Sequence, residues 1–206
     1  MKPTVPIRRD IVLIGGGHSH VDVLKRFGMK PEPGVRLTLI ARDLLTPYSG
    51  MIPGYIAGHY SQAEAHIDLR PLTGFAGARL IHAPATGLDL DANRINVAGR
   101  PPVPFDILSI DTGSTPSTLE ISGAAHALPV KPIDRFLAAY HQLTTRIRDH
   151  QGRFRLTIIG GGAGGVELAL SLSHRLRGAA VELGKKPDDF GFTVIEADDV
   201  LLPSYN

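Results

Sequence analysis

The chain has 206 residues, enough for one large domain or one and a half ordinary ones. Its 22 lysines and arginines nearly balance 20 acidic residues, and without a block of like charges we expect no nucleic-acid partner. Cysteine is absent, which excludes a disulfide framework, a thiolate zinc site, a redox-active dithiol and a cysteine nucleophile from these residues. No apolar stretch is typical of a signal peptide or a membrane span, so we expect no transmembrane segment.

The first predicted strand and helix surround a run of three glycines. In "IVLIGGGHSHVDVL" (11–24) an apolar segment typical of a buried parallel strand ends at Gly15. Apolar residues at helical spacing then follow from His18 to Phe27. "VRLTLIA" (35–41) predicts the next strand, so the three elements have the size of one βαβ unit.

The middle of the chain predicts short elements. "TPYSGMIPGYIAGHY" (46–60) is rich in glycine and proline and predicts a loop followed by a short helix. "ARLIHA" (78–83) predicts a strand, and "TGLDLDANRINVAG" (86–99) a small antiparallel hairpin. "FDILSIDTG" (105–113) predicts a strand that runs into a Thr-Gly turn, and residues 133 to 150 an amphipathic helix.

The first stretch is repeated later in the chain. "RLTIIGGGAGGVELALS" (155–171) has the same strand, glycines and helix, and "FTVIEADDVLLP" (192–203) resembles "LTLIARDLLTP" (37–47). Two copies in this context favour dinucleotide-binding turns over plain glycine-rich turns. The second copy has all three glycines of the dinucleotide fingerprint: Gly160, Gly162 and Gly165.

Each glycine of this fingerprint has its own physical purpose. The first allows a tight turn, and the second lets the main chain approach a pyrophosphate at the amino end of the helix. The third lets the helix pack closely on the strand. We therefore assign Gly15 and Gly17 to the pyrophosphate of a first dinucleotide, and we place His18, Ser19 and His20, at the start of the helix, among the candidate cofactor-binding residues.

The first copy departs from the fingerprint at His20, which stands in the place of the third glycine. Its ring predicts that the helix stands off from the strand or tilts. Three interpretations of His18 and His20 stay open: side chains bonded to nearby carbonyls, contacts with phosphate, or a metal site. The last lacks further ligands at suitable spacing.

An acidic residue, Glu196, ends the strand that follows the second copy, where a carboxylate can accept both hydroxyls of a ribose. It lies 36 positions after Gly160, against roughly 20 in the compact motif, and we attribute the excess to the connection "LGKKPDDFG". Such a carboxylate repels a 2′-phosphate, so we expect NAD(H) to be preferred over NADP(H). The alternative is a solvated strand end.

The corresponding position of the first copy is apolar. Depending on the alignment, Ile40 or Ala41 lies opposite Glu196, and Asp43 is a weaker candidate for a ribose contact. We place Ala41 and Arg42 among the cofactor-binding residues.

Two tandem fingerprints, with "GGGAGGVELA" and "VIEADDVLLP", resemble the two-dinucleotide-binding superfamily of FAD/NAD(P)-dependent pyridine nucleotide oxidoreductases. There the first fingerprint holds FAD and the second NAD(P)H. "DILSIDTGSTP" (106–116) is similar to the second flavin motif, a strand ending in Ala-Thr-Gly, with Asp111 in place of the alanine. "GGGHSHV", "HIDL" and "LSIDTGS" resemble type II NADH dehydrogenase-like flavoproteins, in particular the module often fused to selenide, water dikinase. The absence of cysteine separates the chain from the disulfide reductases, and as far as the chain extends it lacks the cysteines of sulfide:quinone oxidoreductases.

The resemblance implies a Rossmann-like α/β fold with a parallel sheet, a small antiparallel hairpin or meander, and the start of a second Rossmann-like domain. Residues 1–150 would form the N-terminal part of a split FAD-binding domain, and residues 151–206 the beginning of an NAD(P)H-binding domain. The chain then looks truncated, without the flavin-closing segment or a possible fused or C-terminal domain.

The resemblance also implies roles for five further residues. Thr112 and Gly113 would lie beside the flavin, with an ordinary strand-ending turn as the alternative. Pro47 and Tyr48 would lie beside the isoalloxazine ring, with core packing as the alternative. Glu167, which we place in the first turn of the predicted helix, would lie between flavin and nicotinamide, where it orients the carboxamide or passes a proton. The alternative is an acid that stabilises the helix dipole.

By resemblance, the intact protein is an FAD-dependent enzyme that passes hydride from NADH to flavin and electrons to a small acceptor such as a quinone. Its cofactors would be FAD and NAD(H), and its location cytoplasmic or peripheral to the membrane. The alternatives are a non-catalytic flavin- or nucleotide-binding module for redox sensing or scaffolding, and an inactive fragment.

Overall fold

The structure, a computed structural model, describes residues 5–115 and 121–202. Pro116 and Pro203, which close two of the sequence motifs, lie outside these ranges. The chain divides into two compact units. The first consists of Met1–Thr46 and His66–Ser114, and the second of Pro47–Ala65 and Thr115–Asn206.

Eleven strands and five α-helices form in the described residues. The strands are β1 (Arg9–Ile14), β2 (Val35–Ala41), β3 (Leu45–Pro47), β4 (His66–Asp68), β5 (Arg79–His82), β6 (Ala85–Asp89), β7 (Arg94–Val97), β8 (Arg100–Pro104), β9 (Ile107–Ile110), β10 (Phe154–Ile159) and β11 (Phe190–Ile195). The helices are α1 (His18–Met29), α2 (Ile52–Ala57), α3 (Leu69–Phe75), α4 (Ile133–Asp149) and α5 (Ala163–Gly178). The predicted strands and helices are confirmed, with boundaries shifted by a few residues.

The first unit is built on a four-stranded parallel sheet with the order β5-β2-β1-β9. Alternate residues of its central strands point to opposite faces, and both faces are buried. Leu13 and Leu39 pack against Leu24 of α1 on one face. Val12 and Ile40 belong to the core of the other face. Burial on both faces explains why these strands are continuous apolar runs in the sequence.

An antiparallel sheet of β6, β7 and β8 covers the second face. Ile95 pairs with Val103 in this sheet, and both side chains join the core that contains Val12. The predicted hairpin is thus confirmed and extended by a third strand, β8. Short β3 and β4 form a separate two-stranded sheet.

The second unit contains a parallel pair, β10 and β11, connected through α5. Leu168 of α5 packs in a cluster with Leu137 of α4 and residues of α2. Leu176 of α5 packs against Phe190 of β11. The strand–helix–strand connection predicted for the repeat is therefore present, and its helix rests on an apolar core.

We predict that Leu39→Ala lowers the free energy of unfolding by about 2–5 kcal/mol, because it leaves a cavity in a fully buried strand. Leu90→Ala removes the same atoms from a side chain that is 69% exposed and is the matched control. We expect Leu90→Ala to change stability by at most about 0.5 kcal/mol. Urea denaturation followed by circular dichroism measures both, and equal losses would contradict the packing described above.

Candidate functional site

The two glycine runs form turns of the same geometry. Gly15 and Gly160 have φ of +94° and +104°, a left-handed backbone that favours glycine. The amide of Gly15 donates to the carbonyl oxygen of Ile40 at 2.8 Å, and that of Gly160 donates to Ile195 at 2.8 Å. Each turn therefore begins where a parallel strand ends and is held by the neighbouring strand.

Each turn leads directly into a helix. Gly17 (φ −66°, ψ 173°) precedes α1 and Gly162 (φ −69°, ψ 177°) precedes α5, both in extended conformation. Neither glycine has a side chain that could accept the first amides of its helix. The amino end of a helix following a parallel strand is a natural site for an anionic ligand.

The hydrogen bonds of the two turns also settle the alignment of the two copies. Ile40 and Ile195 accept equivalent bonds, so Ala41 corresponds to Glu196. Ala41 is buried and brings no carboxylate to the ribose position of the first copy. The next residue, Arg42, is exposed and pairs with Asp43, with 2.7 Å between Nε and Oδ2.

The third fingerprint position is Gly165 in the second copy and His20 in the first, and the two residues have different surroundings. A Cβ atom on Gly165 would lie 1.9 Å from the carbonyl oxygen of Gly160, so the second helix rests directly on its turn. In the first copy the His20 ring is 1% exposed. Its Nδ1 donates to the Gly15 carbonyl oxygen at 2.7 Å, and its Nε2 lies 2.9 Å from the Ser109 hydroxyl. This geometry favours the carbonyl-bonded interpretation of His20, with Ser109 as a partner that sequence reasoning missed.

The space beyond the second fingerprint glycine also differs. Apart from Gly162 itself and its two chain neighbours, no described residue has an atom within 4 Å of the position where Gly162 would carry a Cβ, and this open space fits a diphosphate. At Gly17 the same position lies 2.2 Å from the carboxylate of Asp111. The Ser19 amide donates to this carboxylate, with 3.1 Å to Oδ2. The sequence identified Asp111 as a replacement for alanine but assigned it no contact.

Thr112 and Gly113 follow β9, and the structure brings Thr112 to the first turn. The Thr112 Cα lies 3.0 Å from the position of a Cβ on Gly15, and Gly113 has φ +82°. His18 and Ser19 are exposed at the first two positions of α1. Thr112 therefore lies against the turn from which α1 begins, while the contacts of these residues with a flavin stay a prediction.

Pro47 and Tyr48 lie at the end of β3. The Tyr48 amide donates to the carbonyl oxygen of Ala65 at 2.9 Å, and the side chain is 42% exposed. Its place beside a flavin also stays a prediction.

The carboxylate of Glu196 is folded towards the second turn. It accepts hydrogen bonds from the amide of Ala197, at 2.6 Å, and from the amide of Gly161. These bonds, that from Ala197 first, lower the pKa of Glu196 below its usual value. The charged form is thus held beside the amino end of α5, and its contact with a ribose stays a prediction.

The position of Glu167 along its helix differs from the predicted one. Glu167 is the fifth residue of α5 and lies in the second turn, whereas the sequence interpretation placed it in the first. The interaction with the helix dipole falls off within the first turn, so this position weakens the dipole-stabilising alternative. The side chain is exposed and accessible to a ligand.

Residues 5–115 and 121–202 contain neither a metal-binding cluster nor a helix that could span a membrane. No group of three or more His, Cys, Asp or Glu side chains lies close enough to hold a metal ion. Over the same ranges, no helix combines the length and apolar character needed to cross a bilayer.

We predict that Gly165→Ala lowers the free energy of unfolding by about 1–3 kcal/mol, because the new methyl group overlaps the Gly160 carbonyl. Gly164→Ala, one position earlier in α5, meets no described atom within 4 Å beyond its chain neighbours and the backbone of its own helix. This control should raise stability by about 0.4–1 kcal/mol through the unfolded state. Chemical denaturation of both variants is the measurement, and equal shifts would show that the helix does not rest on the turn.

We also predict a pH-dependent effect of Glu196→Gln. Because the folded-state pKa of Glu196 is lowered, its carboxylate stabilises the fold above the unfolded-state pKa. That contribution is lost as the pH falls through the folded-state pKa. The variant should have a lower melting temperature than the parent at neutral pH and the same one in acid. Glu182→Gln controls for the loss of one exposed negative charge, and a difference that persists in acid would contradict the assignment.

The pyridine nucleotide-disulphide oxidoreductase family model matches residues 9–206 of the chain. No curated protein matches significantly. Among solved structures, NDH2 from Plasmodium falciparum in complex with NADH has a TM-score of 0.78 and 17% identity, with 96% of this chain and 44% of that chain covered. The water-forming NADH oxidase from Lactobacillus brevis bound to NADH has a TM-score of 0.68 and 18% identity, with 95% and 41% covered. The sulfide:quinone oxidoreductase from Aquifex aeolicus has a TM-score of 0.68 and 20% identity, with 93% and 44% covered.

These likenesses show a shared Rossmann-like fold, and the chain spans less than half the length of each neighbour. Because the family model covers almost all of the sequence, and the paired glycine turns are present in the structure, the chain belongs to the pyridine nucleotide-disulphide oxidoreductase family.

Proposed function

We propose that the chain is part of an FAD-dependent enzyme that takes hydride from NADH and delivers electrons to a small acceptor such as a quinone. One observation carries the proposal: two glycine turns of matching backbone geometry occur in one chain, each between a parallel strand and the amino end of a helix. One dinucleotide-binding turn would suit a dehydrogenase, whereas two suit a protein that holds a flavin and a nicotinamide together.

The second turn is the proposed site for NADH. The open space beyond Gly162 and the amino end of α5 fit its diphosphate, while Gly160 and Gly165 give the turn its shape. Glu196 would accept hydrogen bonds from the adenosine ribose. We assign the preference for NADH over NADPH to this carboxylate, which would repel a 2′-phosphate.

The first turn is the proposed site for FAD. Gly15 and Gly17 with the amides of His18 and Ser19 would bind its diphosphate. The remaining flavin neighbours would be Ala41, Arg42, Pro47, Tyr48, Thr112 and Gly113. When bound, the flavin supplies the hydride acceptor and the transfer of electrons onward. His20 would hold the turn in shape through the Gly15 carbonyl, without itself meeting the phosphate.

Glu167 is the proposed catalytic residue. Its exposed carboxylate lies on α5, two residues beyond Gly165, the last of the NADH-binding glycines. From there it would orient the nicotinamide carboxamide by accepting a hydrogen bond from the amide nitrogen, or hold a proton next to the reacting rings.

The proposed FAD and NADH sites divide the chain into parts of two domains. Residues 1–150 would provide the first part of the FAD-binding domain, and residues 151–206 the beginning of the NADH-binding domain. A cytoplasmic enzyme, peripheral to the membrane when its acceptor is a quinone, is part of the same proposal.

A non-catalytic nucleotide-binding module is the second candidate. The observation that favours it is the Asp111 carboxylate beside Gly17, which stands where a diphosphate is expected. Anaerobic addition of NADH to the purified intact protein separates the two candidates. Loss of the visible absorbance of bound flavin supports the enzyme. Flavin that stays oxidised, or binding of NADH by a protein that holds no flavin, supports the module.

We predict that Glu196→Ala shifts the preference towards NADPH. Removing one negative charge near a 2′-phosphate should raise the ratio of kcat/KM for NADPH to that for NADH about tenfold or more. Asp199→Ala removes an exposed acid of the following loop and is the matched control. Steady-state kinetics with both nucleotides test the role, and an unchanged ratio would exclude Glu196 as the ribose acceptor.

A further inference from the structure

We infer that the carboxylate of Asp111 is an internal anion that occupies the diphosphate position of the first glycine turn and weakens dinucleotide binding there. The inference rests on the proposed function, since it concerns the turn assigned to FAD. It goes beyond that function because it gives one side chain control over how tightly the cofactor is held.

The geometry places the carboxylate against the amino end of α1. The Ser19 amide donates to Asp111 Oδ2 at 3.1 Å, and the Gly17 amide donates to the Asp111 backbone oxygen at 3.3 Å. The missing side chain of Gly17 is what makes room, because a Cβ atom there would lie 2.2 Å from the carboxylate. One helix amide is therefore already bonded to a negatively charged group of the protein itself.

The second turn provides the comparison within the same chain. The equivalent glycine, Gly162, has the same extended conformation, and beyond its chain neighbours no described atom lies within 4 Å of its Cβ position. The glycine that normally leaves room for a diphosphate thus leaves room for Asp111 in the first turn. The difference comes from β9, since Asp111 is the first residue after that strand.

Asp111 has a favourable effect on the ligand-free protein and an unfavourable effect on ligand binding. Without a ligand, Asp111 stabilises α1 by accepting an amide that Gly17, as N-cap, cannot satisfy. With a ligand, the carboxylate and the diphosphate compete for the same amides, and two negative groups a few ångströms apart repel each other. The Asp111 side chain must move away for the dinucleotide to bind, which lowers the affinity.

The test compares the Asp111→Asn variant of the intact protein with its parent, the same protein without the substitution. Asparagine keeps an oxygen that can accept the Ser19 amide but has no charge. We expect the dissociation constant for FAD to fall about tenfold or more, and the melting temperature of the ligand-free protein to fall or stay the same. Asp106→Asn is the matched control, because Asp106 accepts the Asp10 amide at the opposite end of β9 and should leave the affinity unchanged.

Asp111→Ala is a second variant, in case the asparagine disturbs the turn. It removes both the charge and the acceptor, so FAD binding should again tighten while the ligand-free protein loses stability. Fluorescence titration of the ligand-free proteins with FAD, alongside thermal denaturation, gives both readouts.

Unchanged or weaker binding in both Asp111 variants, while the parent binds FAD, would overturn the inference and leave the proposed function intact. Equal tightening by Asp106→Asn would overturn it too, because the effect would then come from net charge alone. Failure of the parent and of both variants to bind any FAD would remove the proposed function, and this inference with it.

Discussion

The structure depends on a requirement of every helix that follows a parallel strand through a tight turn: the first amides of the helix need acceptors. Gly15 and Gly160 turn the chain so sharply that these amides converge at the end of the strand. A side chain at either position would be strained, and Gly17 and Gly162 have no side-chain oxygen to cap the helix. The acceptors therefore come from water, from another part of the protein or from an anionic ligand.

The two units meet this requirement differently. In the second unit, Glu196 binds an amide of the turn itself and leaves the space beyond Gly162 open. In the first unit, Asp111 binds an amide of the helix and fills the equivalent space. Similar backbones thus present unequal sites, because a carboxylate reaches each turn from a different strand.

Much of this could be read from the sequence because it depends on neighbours in the chain. Continuous apolar runs predicted the buried parallel strands, and the repeated glycines predicted both turns. The contacts of Asp111 with Ser19 and of His20 with Ser109 could not be read, since they join residues 92 and 89 positions apart. Only the pairing of β9 with β1 creates them. Asp111, which replaces the alanine of the Ala-Thr-Gly motif, was the signal available in the sequence. It did not indicate which residues the side chain would contact.

The same pairing has a consequence for how the protein folds. Ile11 pairs with Ile107, a separation of 96 residues, whereas Phe154 pairs with Phe190 only 36 residues away. Closing the longer loop requires a greater loss of chain entropy, and the intervening strands must first find their own partners. We therefore expect the nucleotide turn of the second unit to become ordered early, and that of the first unit to be completed only when its last strand arrives.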